Sequence, residues 1–169
     1  MQTNTYLFLP EKKFLKQGFF MEDENKNIIY EAKVLKQSLL GSQEVNFINH
    51  KTNNSEEHKI GGVVTTNQSG LFEMFSTKSS FKYDGKNIWD YLHEKGIRID
   101  SQVSGNKIGM TYNITFEGQS MATIASTTPG GKSIMTSAHC YNVTTSDEYL
   151  DLAFLTTYAI AKTEQVFYN

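Results

Sequence analysis

Residues 145–162 read TSDEYLDLAFLTTYAIAK, a segment with a polar, acidic start that turns apolar on nearly every side at once. Between Leu150 and Ala161 the plainly polar residues are Asp151, Thr156 and Thr157. A helix lying on a protein surface carries one apolar stripe and one charged face. This one has no charged face, so it reads as a helix enclosed on all sides. Thr145 followed by Glu148 has the spacing of a capping box, and Asp147 and Glu148 place negative charge where it complements the helix dipole. Leu152, Phe154, Leu155, Tyr158 and Ile160 point in several directions around the axis and are all expected to be buried.

The sequence before that helix is strand-like. From Lys107 to Phe116 the residues Ile108, Met110, Tyr112, Ile114 and Phe116 alternate with Gly109, Thr111, Asn113 and Thr115, which is a period of two. Phe19–Met21, the polar turn 22–27, and the alternating Ile28, Tyr30, Ala32 and Val34 read as a hairpin. Turns are signalled again at Asn53-Asn54, Gln68-Ser69-Gly70, Ser104-Gly105-Asn106, Glu117-Gly118-Gln119 and Pro129-Gly130-Gly131. Regular spacing of this kind suggests a meander or barrel. One short helix interrupts it: Asn87 caps residues 88–95, Ile88, Tyr91 and Leu92 share a face, and Gly96 supplies the left-handed stop. The expected arrangement is a sheet wrapped around the terminal helix, in a single domain spanning residues 1–169.

Composition narrows the function. The formal charge is -2, and Arg98 is the lone arginine, so bidentate reading of phosphates and guanines has little to work with and a nucleic-acid partner is not expected. Cys140 is the single cysteine, which removes intramolecular disulfides and multi-cysteine zinc sites and fits a reducing compartment. With no leader recognised and no apolar run of about 20 residues, the reading is a cytoplasmic protein without a transmembrane segment.

Each motif with a chemical precedent fails at a required position. Gly131-Lys132-Ser133 resembles the end of a phosphate-binding loop, but Ser126 stands where that loop needs its first glycine. Asp23, Asn25 and Asn27 copy three ligand positions of a calcium loop, whose glycine and closing glutamate fall on Ile28 and Val34. His50, Glu56, Glu57 and His58 flank one turn without the convergent ligand set that a metal needs. His139 and Cys140 are neighbours on a strand and face opposite ways. Trp89 and Tyr91 read as packing on a short helix. No cofactor, metal site or catalytic residue is therefore expected. Lys12, Lys13 and Lys16 form the densest basic cluster, interleaved with Phe14 and Leu15; they suit an anionic lipid surface, or else the protection of an edge strand.

The run FFMEDENKNIIYEAK, followed late in the chain by MTYNITFEGQSMATIAS, KSIMTSAHCYNV and the apolar helix from Ser146, resembles the tubby C-terminal-like superfamily in its LURP-one-related and scramblase-like branches. The resemblance covers residues 19–162. It implies a mainly β fold, a closed antiparallel barrel of about twelve strands surrounding the C-terminal helix. It also implies an association with phosphoinositides or membrane phospholipids. The chain departs from the family in having neither the membrane-spanning tail of scramblases nor a match to the basic pair of tubby proteins. The resulting expectation is a non-catalytic intracellular binding or scaffold module contacting anionic phospholipid. The alternatives are a small-molecule carrier with an apolar barrel interior and a hydrolase with a dispersed site.

Overall fold

A computed structural model gives the fold and describes residues 2–11, 18–37, 43–69, 73–83, 85–103, 110–127 and 140–168, with side chains described except at 58–81, 102–103 and 163–168. The elements are β1 Thr3–Pro10, β2 Phe19–Glu22, β3 Ile28–Gln37, β4 Gln43–Asn49, β5 Asn54–Ser69, β6 Glu73–Tyr83, β7 Lys86–Asn87, α1 Ile88–Glu94, β8 Ile97–Val103, β9 Met110–Phe116, β10 Gln119–Ser126, β11 Tyr141–Ser146 and α2 Leu150–Tyr168. The strands pair antiparallel in the order β7-β6-β5-β4-β3-β2-β1-β11-β10-β9-β8. The protein is thus mainly β, a large antiparallel sheet with a C-terminal helix.

Two turn chemistries fix the hairpins that frame the sheet. Glu117 and Gly118 have φ of 50° and 81°, the pair of positive values that a two-residue turn uses to match strand twist between β9 and β10. In the β2–β3 turn the Asp23 carboxylate accepts from the amides of Asn25 and Asn27, both at 2.9 Å, and from the Asn27 side chain at 3.1 Å. Those bonds hold its pKa below the usual carboxylate range. The oxygens that would have served a calcium ion instead close their own turn.

The inward face of the sheet carries Tyr6 and Phe8 on β1, Phe19 and Met21 on β2, Tyr30, Ala32 and Val34 on β3, Val45 on β4, Ile124 on β10, and Tyr141 and Val143 on β11, all buried. Phe8 pairs across the ladders with Met21 and Tyr141, so the alternation stays in phase between strands. One expectation fails locally. Ile28 is exposed at 46%, whereas Ile29 is 5% exposed. A bulge opposite Met21 and Glu22 gives β3 one extra residue, which shifts the inward phase by one position at the turn end of the strand.

Helix α2 sits against that face. Residues 153–162 are ten consecutive buried positions, and since each residue turns the helix by about 100°, every side of the helix is covered over that span. Phe154, Leu155, Tyr158 and Ile160 are buried as expected, while Leu152 is partly exposed. Thr156 and Thr157 do not spoil the interior because their hydroxyls donate to the carbonyls of Leu152 and Ala153, each at 2.7 Å. The start of the helix corrects the capping-box reading. Thr145 belongs to β11, its hydroxyl donates to the Met121 carbonyl at 2.9 Å, and the chain reaches α2 through a 3-10 turn at Asp147–Tyr149. Strand pairing with β10 claims the residue before helix capping can.

The short helix forms as the sequence predicts. Asn87 accepts from the Trp89 amide at 2.9 Å, Ile88 and Leu92 are buried, and Gly96 has φ of 95°. Its position bears on closure of the sheet. Strands β1–β5 and β8–β11 form nine adjacent strands, and β5 pairs with β4 over Asn54–Ile60 but with β6 over Gly61–Ser69. The β5–β6 pairing is therefore displaced along β5 from the β4–β5 pairing, and β6 and β7 extend beyond the other nine strands. Among the described residues no ladder joins β7 to β8, and α1 lies between them in the chain, touching β6, β7, β8 and α2. Of the expected closed barrel of about twelve strands, the described residues show eleven strands in one antiparallel order, and no pairing that closes it is found among them.

Candidate functional site

The basic cluster comes first because the sequence singled it out. Lys12, Lys13 and Lys16 lie outside the described residues, but the strands on either side of them do not. β1 and β2 pair with each other and are flanked by β11 and β3, so both are interior strands. The Glu11 amide donates to the Gly18 carbonyl at 2.8 Å, bringing the two ends of the 12–17 connection together. Gly18 is required at that join, since a Cβ there would come within 2.4 Å of the Ala32 carbonyl oxygen.

Two polar clusters occupy the ends of the buried part of α2, and sequence reading missed both. At the start of the helix the Tyr30 hydroxyl donates to Asp151 Oδ1, and the Asn49 amide donates to the Tyr30 oxygen at 2.8 Å. Partial burial raises the pKa of Asp151. Beside it the Tyr6 hydroxyl and Lys51 ammonium donate to Asp147 Oδ1 at 3.1 and 3.3 Å. The hydrogen bond from Lys51 is the main reason that the pKa of Asp147 is lowered. His50 meets Glu31 at 3.1 Å. The β4–β5 turn, the ends of β1 and β3, and the beginning of α2 are thus tied by polar contacts, many of them solvent-exposed. These contacts fix where the helix starts, and each group in them is already engaged.

The other end is different in kind. Lys162 is 5% exposed, and its ammonium donates to Gln43 Oε1 on β4 at 2.8 Å. The nitrogen lies 5.8 Å from the ring centres of both Phe19 and Tyr158. Burial lowers its pKa to about 8. One helical turn earlier, the Tyr158 hydroxyl is fully buried, has no hydrogen-bond partner among the described residues, and has its pKa pushed up by burial. The signal in the sequence was the single lysine closing an apolar run at Lys162. Its partner Gln43 is 119 residues away and carries no signal of its own.

The other candidate groups remain apart or fall outside the described residues. His50 turns to Glu31 on β3 rather than to Glu56 or Glu57, whose residues are exposed, and the His58 side chain lies outside the described residues. Residues 131–133 and His139 also lie outside them, while Cys140 is buried. Among the described residues no three His, Cys, Asp or Glu side chains gather as a metal site would require. Trp89 and Tyr91 pack partly buried against the core, with Tyr91 4.7 Å from the Tyr83 ring. No helix among the described residues is long and apolar enough to cross a membrane. Comparison of the chain with family models, curated proteins and solved structures finds no match.

Proposed function

We propose that this chain is a non-catalytic binding or scaffold module of tubby-like architecture, acting inside the cell and making its contacts on the outer surface of the sheet, with an anionic phospholipid membrane as first partner. The observation that carries this reading is the run of ten buried residues in α2. A sheet whose interior is occupied by its own helix has that space filled by protein, which argues against the carrier alternative. The order of the β2–β3 hairpin, the late strands and the enclosed helix supports the tubby-like assignment, with α1 set at the seam between the sheet's outer edges. The hydrolase alternative has little to draw on, since among the described residues the His50 ring bonds to Glu31 alone.

The topology also bears on the lysines. Charged residues protect edge strands from pairing with other chains. Both strands that flank Lys12, Lys13 and Lys16 are interior, so edge protection offers no reason for a basic cluster there. Contact with acidic head groups does. A lysine near such a surface contributes about 1 kcal/mol, so the three together give about 3 kcal/mol, a partition advantage of about a hundredfold over neutral lipid.

Sedimentation with phosphatidylcholine vesicles and with vesicles containing phosphatidylserine tests the proposal. The protein should pellet with the acidic vesicles, release in high salt, and lose the interaction when Lys12, Lys13 and Lys16 are changed together to glutamate. Equal binding to neutral and acidic vesicles, no binding to either, or binding untouched by the triple change would refute it.

A further inference from the structure

Strand β3 carries a second bulge, this one opposite β4. Val34 pairs with Val45 and Lys36 with Glu44, so Leu35 is the inserted residue. Alternation from the buried Ala32 and Val34 would turn Lys36 toward the core. The bulge turns it out instead: Lys33 and Lys36 are exposed, and Leu35 between them is 37% exposed. A lone surface leucine is ordinary, but this one has a counterpart that sets off its surroundings. Among the described residues the exposed large apolar side chains are Leu35 and Ile28, toward opposite ends of the same strand. Ile28 follows the β2–β3 turn, where Glu22, Asp23 and Glu24 outnumber Lys26, and it lies at the end of the sheet where Asp151 of α2 meets Tyr30. Leu35 lies toward the other end, between two lysines. Glu44 reaches Lys36 at 3.9 Å, but the Lys36 side chain is 79% exposed and such a surface contact contributes little, so its ammonium stays accessible to another anion.

The same end of the sheet bears the basic connection. Phe19 pairs with Ala32, and a Cβ at Gly18 would come within 2.4 Å of the Ala32 carbonyl oxygen, so the 12–17 connection rejoins the sheet against β3, one residue from Lys33. Lys33 and Lys36 therefore continue the positive charge that Lys12, Lys13 and Lys16 begin. We propose that the Lys33–Lys36 bulge is an apolar anchor for an acidic membrane: its two ammoniums meet lipid head groups while Leu35 enters the bilayer interface between them. This rests on the membrane reading above and adds to it a second contact and an orientation. Lysines beside an apolar side chain are the combination that holds a surface segment at an anionic bilayer, the charges drawing it in and the apolar group leaving water. The acidic end of the sheet is repelled by the same lipid, so the field turns the bulge end of β3 toward the membrane.

Ile28 supplies the internal control. Leu35→Cys and Ile28→Cys, each in the full chain, are labelled with a polarity-sensitive thiol dye; the protein's own Cys140 is buried and so shielded from the reagent. On addition of vesicles containing phosphatidylserine, the dye at position 35 should shift to the blue and be quenched by brominated lipid, and the dye at position 28 should do neither. Separately, Lys33→Gln with Lys36→Gln should weaken partition onto those vesicles about thirtyfold. Lys26→Gln, at the acidic end, should not weaken it. The four substituted side chains are exposed, and the dye readout keeps all the lysines, so the two measurements stand independently. No association with the acidic vesicles would refute both this proposal and the membrane reading beneath it. Association that depends on Lys12, Lys13 and Lys16, but leaves the position-35 dye in water, moves both dyes alike or ignores the Lys33 and Lys36 changes, would overturn the anchor and leave that reading standing.

Discussion

Replacing Phe154 with alanine tests whether the helix is the core of this protein or an attachment to it. The ring is 2% exposed and sits among three others, with centroids 5.2 Å from Tyr30, 5.7 Å from Phe8 and 6.1 Å from Phe47. Those neighbours come from β3, β1 and β4, so one side chain joins three strands to the helix. Cutting a buried phenylalanine to alanine costs about 3–5 kcal/mol, and ring pairs at these separations add about 0.5–1.5 kcal/mol each beyond area. The backbone around Phe154 is held by strands on several sides and has little freedom to collapse into the void. The expected loss is therefore at the upper end, about 5 kcal/mol, against a total of about 5–15 kcal/mol for a domain. For a chain of this length that corresponds to a fall in Tm of about 10–20 °C. Urea denaturation followed by circular dichroism, with calorimetry alongside, measures it. Phe154→Leu, which keeps most of the apolar volume, should lose about 1–2 kcal/mol. A Phe154→Ala protein with native circular dichroism and a loss under about 1 kcal/mol would refute the claim that α2 is enclosed.

Two further outcomes follow from the geometry. Across the β3 bulge, Ile29→Ala should cost about 2–5 kcal/mol and Ile28→Ala under about 1 kcal/mol, and equal losses in urea melts would show that the bulge is not where we place it. Burial raises the pKa of Asp151 above its unfolded value, so the native state holds a proton that the unfolded chain has released, and this residue's contribution to stability falls as pH rises from the unfolded to the folded value. The stability difference between the unaltered protein and Asp151→Asn should therefore move against the unaltered protein across that window, and parallel urea midpoints for the two from pH 3 to pH 7 would contradict it.

Much of this fold was legible because its strongest signals are local. The TSDEYLDLAFLTTYAIAK segment announces an enclosed helix through its own composition. Asn87 and Gly96 mark both ends of α1 within ten residues, and Glu117-Gly118 sets its hairpin unaided. The misreadings share one cause, dependence on a distant partner. Thr145 looks like a helix cap until β10 lies beside it and Met121 offers a carbonyl. Ile28 and Ile29 are indistinguishable until the register with β2 selects one of them. The polar clusters were less legible still. Tyr30 meets Asp151 across 121 residues and Lys162 meets Gln43 across 119, distances over which neither periodicity nor spacing carries information.

The pairing of β1 with β11, and the place of α2 after every strand, sets the order in which this protein can be made. A chain is synthesised at about 5–20 residues per second, and contacts between its distant parts are slow to form. Throughout that time Phe8 and Phe19 have no helix to pack against, and β11, the strand that pairs with β1, has yet to leave the ribosome. The sheet cannot become cooperative domain by domain as it emerges. Its folding waits on residues 150–162, and until that helix emerges the apolar faces of the strands lack the core that covers them.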